Sequence, residues 1–438
     1  MKNTGNPGSA APKIIPRPDH NVSRNEISSA ALKVLYRLHK AGYQSFLVGG
    51  GVRDAILDLH PKDFDIATNA TPEQVRSLFN NCRLIGRRFR LAHIRYGREI
   101  IEVATFRASA NHEDDDEAHD REGRIVRDNV YGTIDEDVWR RDFTCNALYY
   151  NIADFSIWDY VGGFDDVQNK RLVLIGDAEQ RLREDPVRML RAVRFAGKLG
   201  FTIDDSVVKA MHGQTGLLAN VPAARLFDEF LKLFQSGFAA RTFELLQRHE
   251  LFGELFPATE QELREDDKFL AFVQAALQNS DKRVAEGKSV TPMFLLGVFL
   301  WLPVRKLAEI RRAEEKMSES QSLNLASYEI VAQQQRRISI PKRFTVPMRE
   351  MLSLQPRFAT VRGKRAMNLL EHRRFRAAYD FLLLQSEVGL ADPALAKFWT
   401  DVQKQSPDER AKSFELHSTP GTKRRPRRRR RRKSSGVS

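Results

Sequence analysis

Cysteine is almost missing from this chain: 438 residues carry only Cys82 and Cys145. Two isolated thiols make no disulfide framework and no zinc-ligand spacing, so two small buried residues in a reducing cytoplasm are expected. Long apolar runs are missing too. No window approaches the roughly 18 apolar residues of a spanning helix. The first twenty residues, broken by Pro7, Pro12, Pro16 and Pro18, lack the apolar core of a secretory signal. The chain is therefore expected to be cytoplasmic. No Ser–His or Cys–His constellation offers a side-chain nucleophile. The glycine turn at 49–51 matches neither G-x-x-x-x-G-K-[ST] nor G-x-G-x-x-G, which argues against a Walker loop and a Rossmann fingerprint.

What is abundant is positive charge, a net +14, which points to a polyanionic partner. Ten of those cations sit in Lys423–Lys433 (KRRPRRRRRRK), where there is no acid. Such a run is expected to be disordered and either to anchor RNA phosphates or to serve as a solubilising or docking tail. With 42% hydrophobic and 29% charged residues, the remainder is globular and long enough for several cores.

The informative stretch is Leu47–Asp65, LVGGGVRDAILDLHPKDFD. An apolar strand, Phe46-Leu47-Val48, ends at Gly49-Gly50-Gly51. A helical pattern follows, burying Val52, Ile56 and Leu57 and leaving Arg53 free to project. Bare N–H groups at that turn suit a phosphate. After Pro61 comes Asp63-Phe64-Asp65. On a strand the two aspartates share a face and Phe64 packs the other way. Paired carboxylates suit a hard divalent cation, although an acidic pair can also merely solvate a strand end. Glu102, in the apolar run 100–104, is a candidate third carboxylate or a salt-bridged strand residue.

LVGGGVRD…KDFD resembles the signature of class II nucleotidyltransferases of the DNA polymerase beta superfamily, which contains bacterial poly(A) polymerases and CCA-adding enzymes. GRRFRLAH and EIIEVATFR resemble the bacterial poly(A) polymerase variant, as does KRAMNLLEHRRFRAAYDFL near the C-terminus. The likeness covers most of residues 30–385. It implies an α+β nucleotidyltransferase head (DNA polymerase beta-like) followed by all-α neck and body domains. The expected boundaries are a flexible segment 1–26, head 27–165, neck 166–235 for base selection and RNA binding, helical body 236–415 and basic tail 416–438.

WRRDFTCNAL resembles the family's RRDFTxNA motif, with Cys145 where an aliphatic residue is usual. Read as a helix, it buries Phe143 and Ala147 and lets Arg141 and Asp142 project. The resemblance implies that Arg141 meets the nucleotide and that Asp142 is a third acidic active-site residue. Glu184-Asp185-Pro186-Val187-Arg188 resembles the E-D-x-x-R motif, implying that Asp185 and Arg188 pair to read the base edge while Arg191 and Arg194 hold phosphates. By periodicity Met189, Val193 and Ala196 share the buried face of that helix, and Arg188, Arg191 and Arg194 lie opposite.

The implied activity is template-independent transfer of AMP from ATP to RNA 3′ ends, marking RNA for decay. Two Mg²⁺ ions (Mn²⁺ as a substitute) are implied on Asp63 and Asp65, with Gly49, Gly50 and Arg53 holding triphosphate. A CCA-adding activity on tRNA and a catalytically inactive RNA binder are the alternatives. Partners are expected to be RNA 3′ ends and RNA-decay proteins such as helicases. Ser109–Arg127 reads as a loop. Arg362, Lys364, Arg365, Arg373, Arg374 and Arg376 with Phe375 and Tyr379 read either as a single-stranded RNA track or as a packed helix with snorkelling arginines.

Overall fold

The computed structural model describes residues 11–61, 63–86, 90–108 and 130–414. The loop expected at 109–127, Arg87, Arg88 and Phe89 of the GRRFRLAH stretch, and the basic tail lie outside them.

The chain enters through β1 (Lys13–Ile15), in the segment expected to be flexible. It is held there by antiparallel pairing with Ile157–Asp159 and by burial of Ile15. Ser28, whose Oγ accepts the Ala31 N–H, caps α1 (Ser29–Lys40), and Ala31, Leu35 and Leu38 form its buried stripe. Then come β2 (Ser45–Val48), α2 (Gly50–Ile56) and β3 (Asp65–Thr68). A Thr71–Gln74 capping box opens α3 (Pro72–Leu78). Next are β4 (Cys82–Ile85), β5 (Leu91–Tyr96), β6 (Glu99–Thr105), α4 (Ile134–Arg140), β7 (Leu148–Asn151) and β8 (Ile157–Asp159).

These strands form one sheet in the order β1-β8-β7-β2-β3-β6-β5-β4. Only the β3–β6 pair is parallel, with Asp65 opposite Glu102. Helices cover one face; Phe46, Phe106 and Tyr149 fill the other with Trp158.

The chain then turns helical. α5 (Gly163–Gln168), β9 (Arg171–Leu172), α6 (Ala178–Glu184) and α7 (Val187–Leu199) lead out of the sheet, and β10 (Thr202–Ile203) pairs with β9. α8 (Asp205–His212), α9 (Ala223–Phe234) and α10 (Ala239–Arg248) follow. Between Ala239 and Leu255 the chain forms two helices rather than one continuous one. Glu250 adopts φ +57°, the Leu251 N–H bonds back to Leu246, and α11 (Phe252–Leu255) folds Phe252 onto Phe243. Phe230, Phe234, Phe243, Phe252 and Phe256 then close on Phe299, an aromatic centre that welds neck to body.

The chain continues through α12 (Pro257–Glu265), α13 (Asp267–Ala285), α14 (Pro292–Glu315), α15 (Glu319–Gln334) and α16 (Lys342–Ser353). Then follow α17 (Gly363–Leu370), α18 (Phe375–Glu387), α19 (Pro393–Lys404) and α20 (Pro407–Ser413). Of the two readings of the basic–aromatic zone here, Phe375, Tyr379 and the arginines at 373, 374 and 376 follow the packed helix. Phe375 and Tyr379 are buried against Phe358 and Trp399, Arg373 and Arg374 bind Glu350, and Arg376 binds Asp380. One hydrophobic cluster runs from Ile15 to Phe414.

Candidate active site

Asp63 and Asp65 both face solvent while Phe64 between them is buried, although the strand itself starts at Asp65. Parallel pairing sets Glu102 beside Asp65. Crowding by protein pushes the Asp65 carboxyl up to about 6, helped by the charges of Glu102 and Asp63 and opposed by Arg141. Carboxylates that disfavour each other's ionisation fit a hard divalent cation, which relieves the repulsion. Among the described residues no three acidic, His or Cys side chains converge closely enough to hold an ion alone.

Beside this edge, Gly49 turns with φ +71°, and a methyl group there would sit 3.9 Å from Arg141 Nη1. The turn thus brings backbone against a guanidinium. Arg53, expected to project freely, is instead buried. It bonds Asp54 Oδ1 at 2.6 Å and Asn146 Oδ1 at 2.5 Å.

The RRDFT segment is not helical as expected. α4 stops at Arg140 because Thr144 donates to Val173 O, Ile175 donates to Asp142 O, and Phe143 bridges Leu174. The backbone is thereby drawn out toward 173–175 before a 3₁₀ turn at Thr144–Asn146. Arg141 folds inward and donates to Asp137 Oδ2 and to the Tyr149 hydroxyl, at 3.0 and 2.7 Å. Asp142, expected to project as a third acid beside the metals, is held by Arg191 (Nε–Oδ2 2.7 Å), the Phe143 N–H and Asn146. Those donors keep its carboxyl below the usual range despite burial, which pushes the other way. The acid whose charge acts most on Asp65 is Glu102, which is also the strand residue 3.0 Å from His93 Nε2, so both readings of it hold.

On α7, Met189, Val193 and Ala196 are fully buried as the spacing predicts. Arg188 departs from the expected basic face. It is buried, and its Nη1 bonds Arg181 O at 2.5 Å and Glu184 Oε2 at 3.2 Å. Asp185 does not pair with Arg188; its Oδ2 accepts from Arg225 at 2.7 Å. The backbone explains this, since Asp185 is the extended residue closing α6 while Arg188 is already the second residue of α7. Arg53, Arg191 and Arg194 gather around the Phe195 ring, their guanidinium carbons 5.3, 5.6 and 4.4 Å from its centroid. Burial, then the charge of Arg191, lowers the Arg194 pKa, and its Nε has no hydrogen-bond partner. Burial and neighbouring arginines similarly push Arg140 and Arg181 down to about 10. Crowded guanidiniums of this kind suit polyphosphate.

Asn146, Phe195, Asp137, Tyr149 and Arg225 went unnoticed in the sequence. Asn146 and Phe195 fall inside motifs already singled out, so their proximity in sequence was the available signal. Arg225 lies 40 positions from its partner and carried none.

Residues 45–173 match the family described as poly A polymerase head domain. Residues 200–263 match a probable RNA and SrmB-binding site of polymerase A, and residues 315–434 a polymerase A arginine-rich C-terminus. Poly(A) polymerase I of Escherichia coli O6:H1 is 46% identical over 94% of this chain and 91% of its own, and that of Haemophilus influenzae 41% over 94% and 93%. A CCA-adding enzyme of Bacillus pumilus is 36% identical over only 57% of this chain and 60% of its own. In structure, the Bacillus stearothermophilus CCA-adding enzyme complexed with CTP covers 87% of this chain (84% of its own) at 24% identity, TM-score 0.53. That likeness speaks for a shared fold. Head, RNA-binding and arginine-rich regions together with near-full-length identity place this chain in the bacterial poly(A) polymerase I family.

Proposed function

We propose that this protein transfers AMP from ATP to RNA 3′-hydroxyls without a template, releasing pyrophosphate. The observation that carries the reading is the acidic edge Asp63–Asp65–Glu102 set against the arginines of the glycine turn and α7, in a chain with near-full-length poly(A) polymerase relatives. CCA addition is less favoured, because the likeness to those enzymes at comparable identity spans only about half of the chain.

Asp63 and Asp65 hold divalent metal. Two Mg²⁺ ions, or Mn²⁺, when bound would acidify the attacking 3′-hydroxyl and neutralise charge on the triphosphate. Gly49 and Gly50 let the backbone approach the phosphates. Arg191 and Arg194 present charge to them, while the buried Arg53 supports the turn from behind. Asp142 acts by orienting Arg191 rather than by binding metal. Arg141, braced by Asp137 and Tyr149, closes the phosphate side. Asp185, aimed by Arg225, and Arg188, aimed by Glu184, offer acceptor and donors to the base edge. RNA would approach over residues 200–263 and the C-terminal region, where the family matches fall.

Asp65→Ala should cut AMP incorporation on an unstructured RNA primer by about a thousandfold, given the several kcal/mol of charge stabilisation that metal supplies. RNA binding should be kept. Variant and wild type incorporating ATP equally would sink the reading, and addition stopping after three nucleotides on a trimmed tRNA would favour the CCA alternative.

A further inference from the structure

The body helices carry an exposed stack that the catalytic site does not use. Tyr328 on α15 is 57% exposed, and the Arg349 guanidinium of α16 lies over its ring, 3.4 Å from the centroid. Nε and Nη1 of Arg349 are shielded from water and have no hydrogen-bond partner. α15 and α16 are joined by the short link 335–341, and Arg349 of α16 meets Tyr328 of α15. Leu325 and Val346, one helical turn before Tyr328 and Arg349 on their own helices, are 36% and 42% exposed.

Charge decides what fits it. The neighbouring acids are spoken for: Glu329 is bound through both oxygens by Arg311, at 3.0 and 2.9 Å, and Glu350 is held by Arg373 and Arg374. Arg336 in the link and Lys342 and Arg343 at the start of α16 are exposed, the Arg343 guanidinium lying 4.9 Å from the Phe344 ring centroid, and no carboxylate is paired with any of the three among the described residues. What remains is an aromatic–guanidinium platform in a positive rim. Three apolar or aromatic side chains are far too few for a stable protein interface, which needs roughly 20–30 residues a side. A nucleobase needs only one flat face and a nearby cation for its phosphate.

We propose that Tyr328 and Arg349 form a stacking site for one base of single-stranded RNA, with Lys342, Arg343 and Arg336 holding the adjoining phosphates. The site rests on the polymerase reading and adds an RNA contact outside the acidic centre. It replaces the buried Phe375–Tyr379 pair as the aromatic contact of the C-terminal region.

The test uses full-length protein and a fluorescent oligoadenylate, with polyphosphate as a base-free polyanion. Tyr328→Ala should weaken oligoadenylate binding and raise the RNA KM by about fivefold or more, as loss of one stacked base does. The ATP KM, kcat at saturating RNA and polyphosphate affinity should stay as in wild type. Tyr328→Trp should preserve RNA binding, and Arg349→Ala should reproduce the Tyr328→Ala loss. Unchanged oligoadenylate affinity in Tyr328→Ala overturns the site. So does an equal loss toward polyphosphate, or altered self-association with RNA affinity intact, which would assign the patch to protein contact. Wild type that binds RNA through Tyr328 but adds no AMP would refute the polymerase reading while leaving the stacking result in place.

Discussion

Single residues in this protein are held by partners distant in sequence. Asp185 illustrates the point. The motif pairs it with Arg188, but that arginine is occupied by Glu184, and Arg225 of α9 fixes the Asp185 carboxylate. A charge-assisted bond of this type contributes on the order of 1.5–3 kcal/mol. Arg225→Ala should therefore reduce the ratio of kcat/KM for ATP over CTP by about tenfold, and Arg225→Lys should restore part of it. An unchanged ratio would show that Asp185 aims itself. Asp63, Asp65 and Glu102 were legible as neighbours because strand alternation and one parallel pairing suffice to juxtapose them. Asp142 was misread because a helical period cannot reveal that Val173 and Ile175 pull the backbone straight.

At the scale of elements, helices with a strong apolar stripe were readable and their breaks were not. α7 follows its period closely: Met189, Val193 and Ala196 are buried where counting puts them. The interruption at Glu250 has no glycine or proline to announce it, and only the aromatic packing of Phe252 on Phe243 justifies it. Close approach of α7 to α10 was likewise invisible. A methyl group on Gly197 would come within 2.6 Å of Thr242 Oγ1 and 3.4 Å of its Cα. Gly197→Val should force the helices apart and cost about 1–3 kcal/mol, read as a lower urea midpoint with unchanged m-value. A midpoint equal to wild type would mean that the neck relaxes freely.

Across the whole molecule, protonation and folding are linked through buried or half-buried imidazoles. His20, His249 and His372 sit in the head, at the end of α10 and beside α18, and burial is the leading cause that lowers each from the ordinary value of 6.5. The unfolded chain thus binds protons more readily. Stability contributed by these neutral rings is complete above about pH 6.5 and is lost as the pH falls through that value. Urea midpoints should drop between pH 7.5 and 5.5, and the triple variant His20→Gln, His249→Gln, His372→Gln should show a shallower drop. Parallel curves would mean that carboxylates carry all of the acid sensitivity.

The unbroken apolar interior from Ile15 to Phe414 also bears on how such enzymes diversify. Phe143 of the head rests edge-on against Phe195 of α7, and Phe299 of the body is ringed by phenylalanines of the neck. A graft that exchanged only the first half for that of a relative would leave aromatic rings facing a foreign surface at both seams. New specificity in this architecture is thus more readily acquired by retuning individual contacts such as Asp185–Arg225 than by shuffling modules.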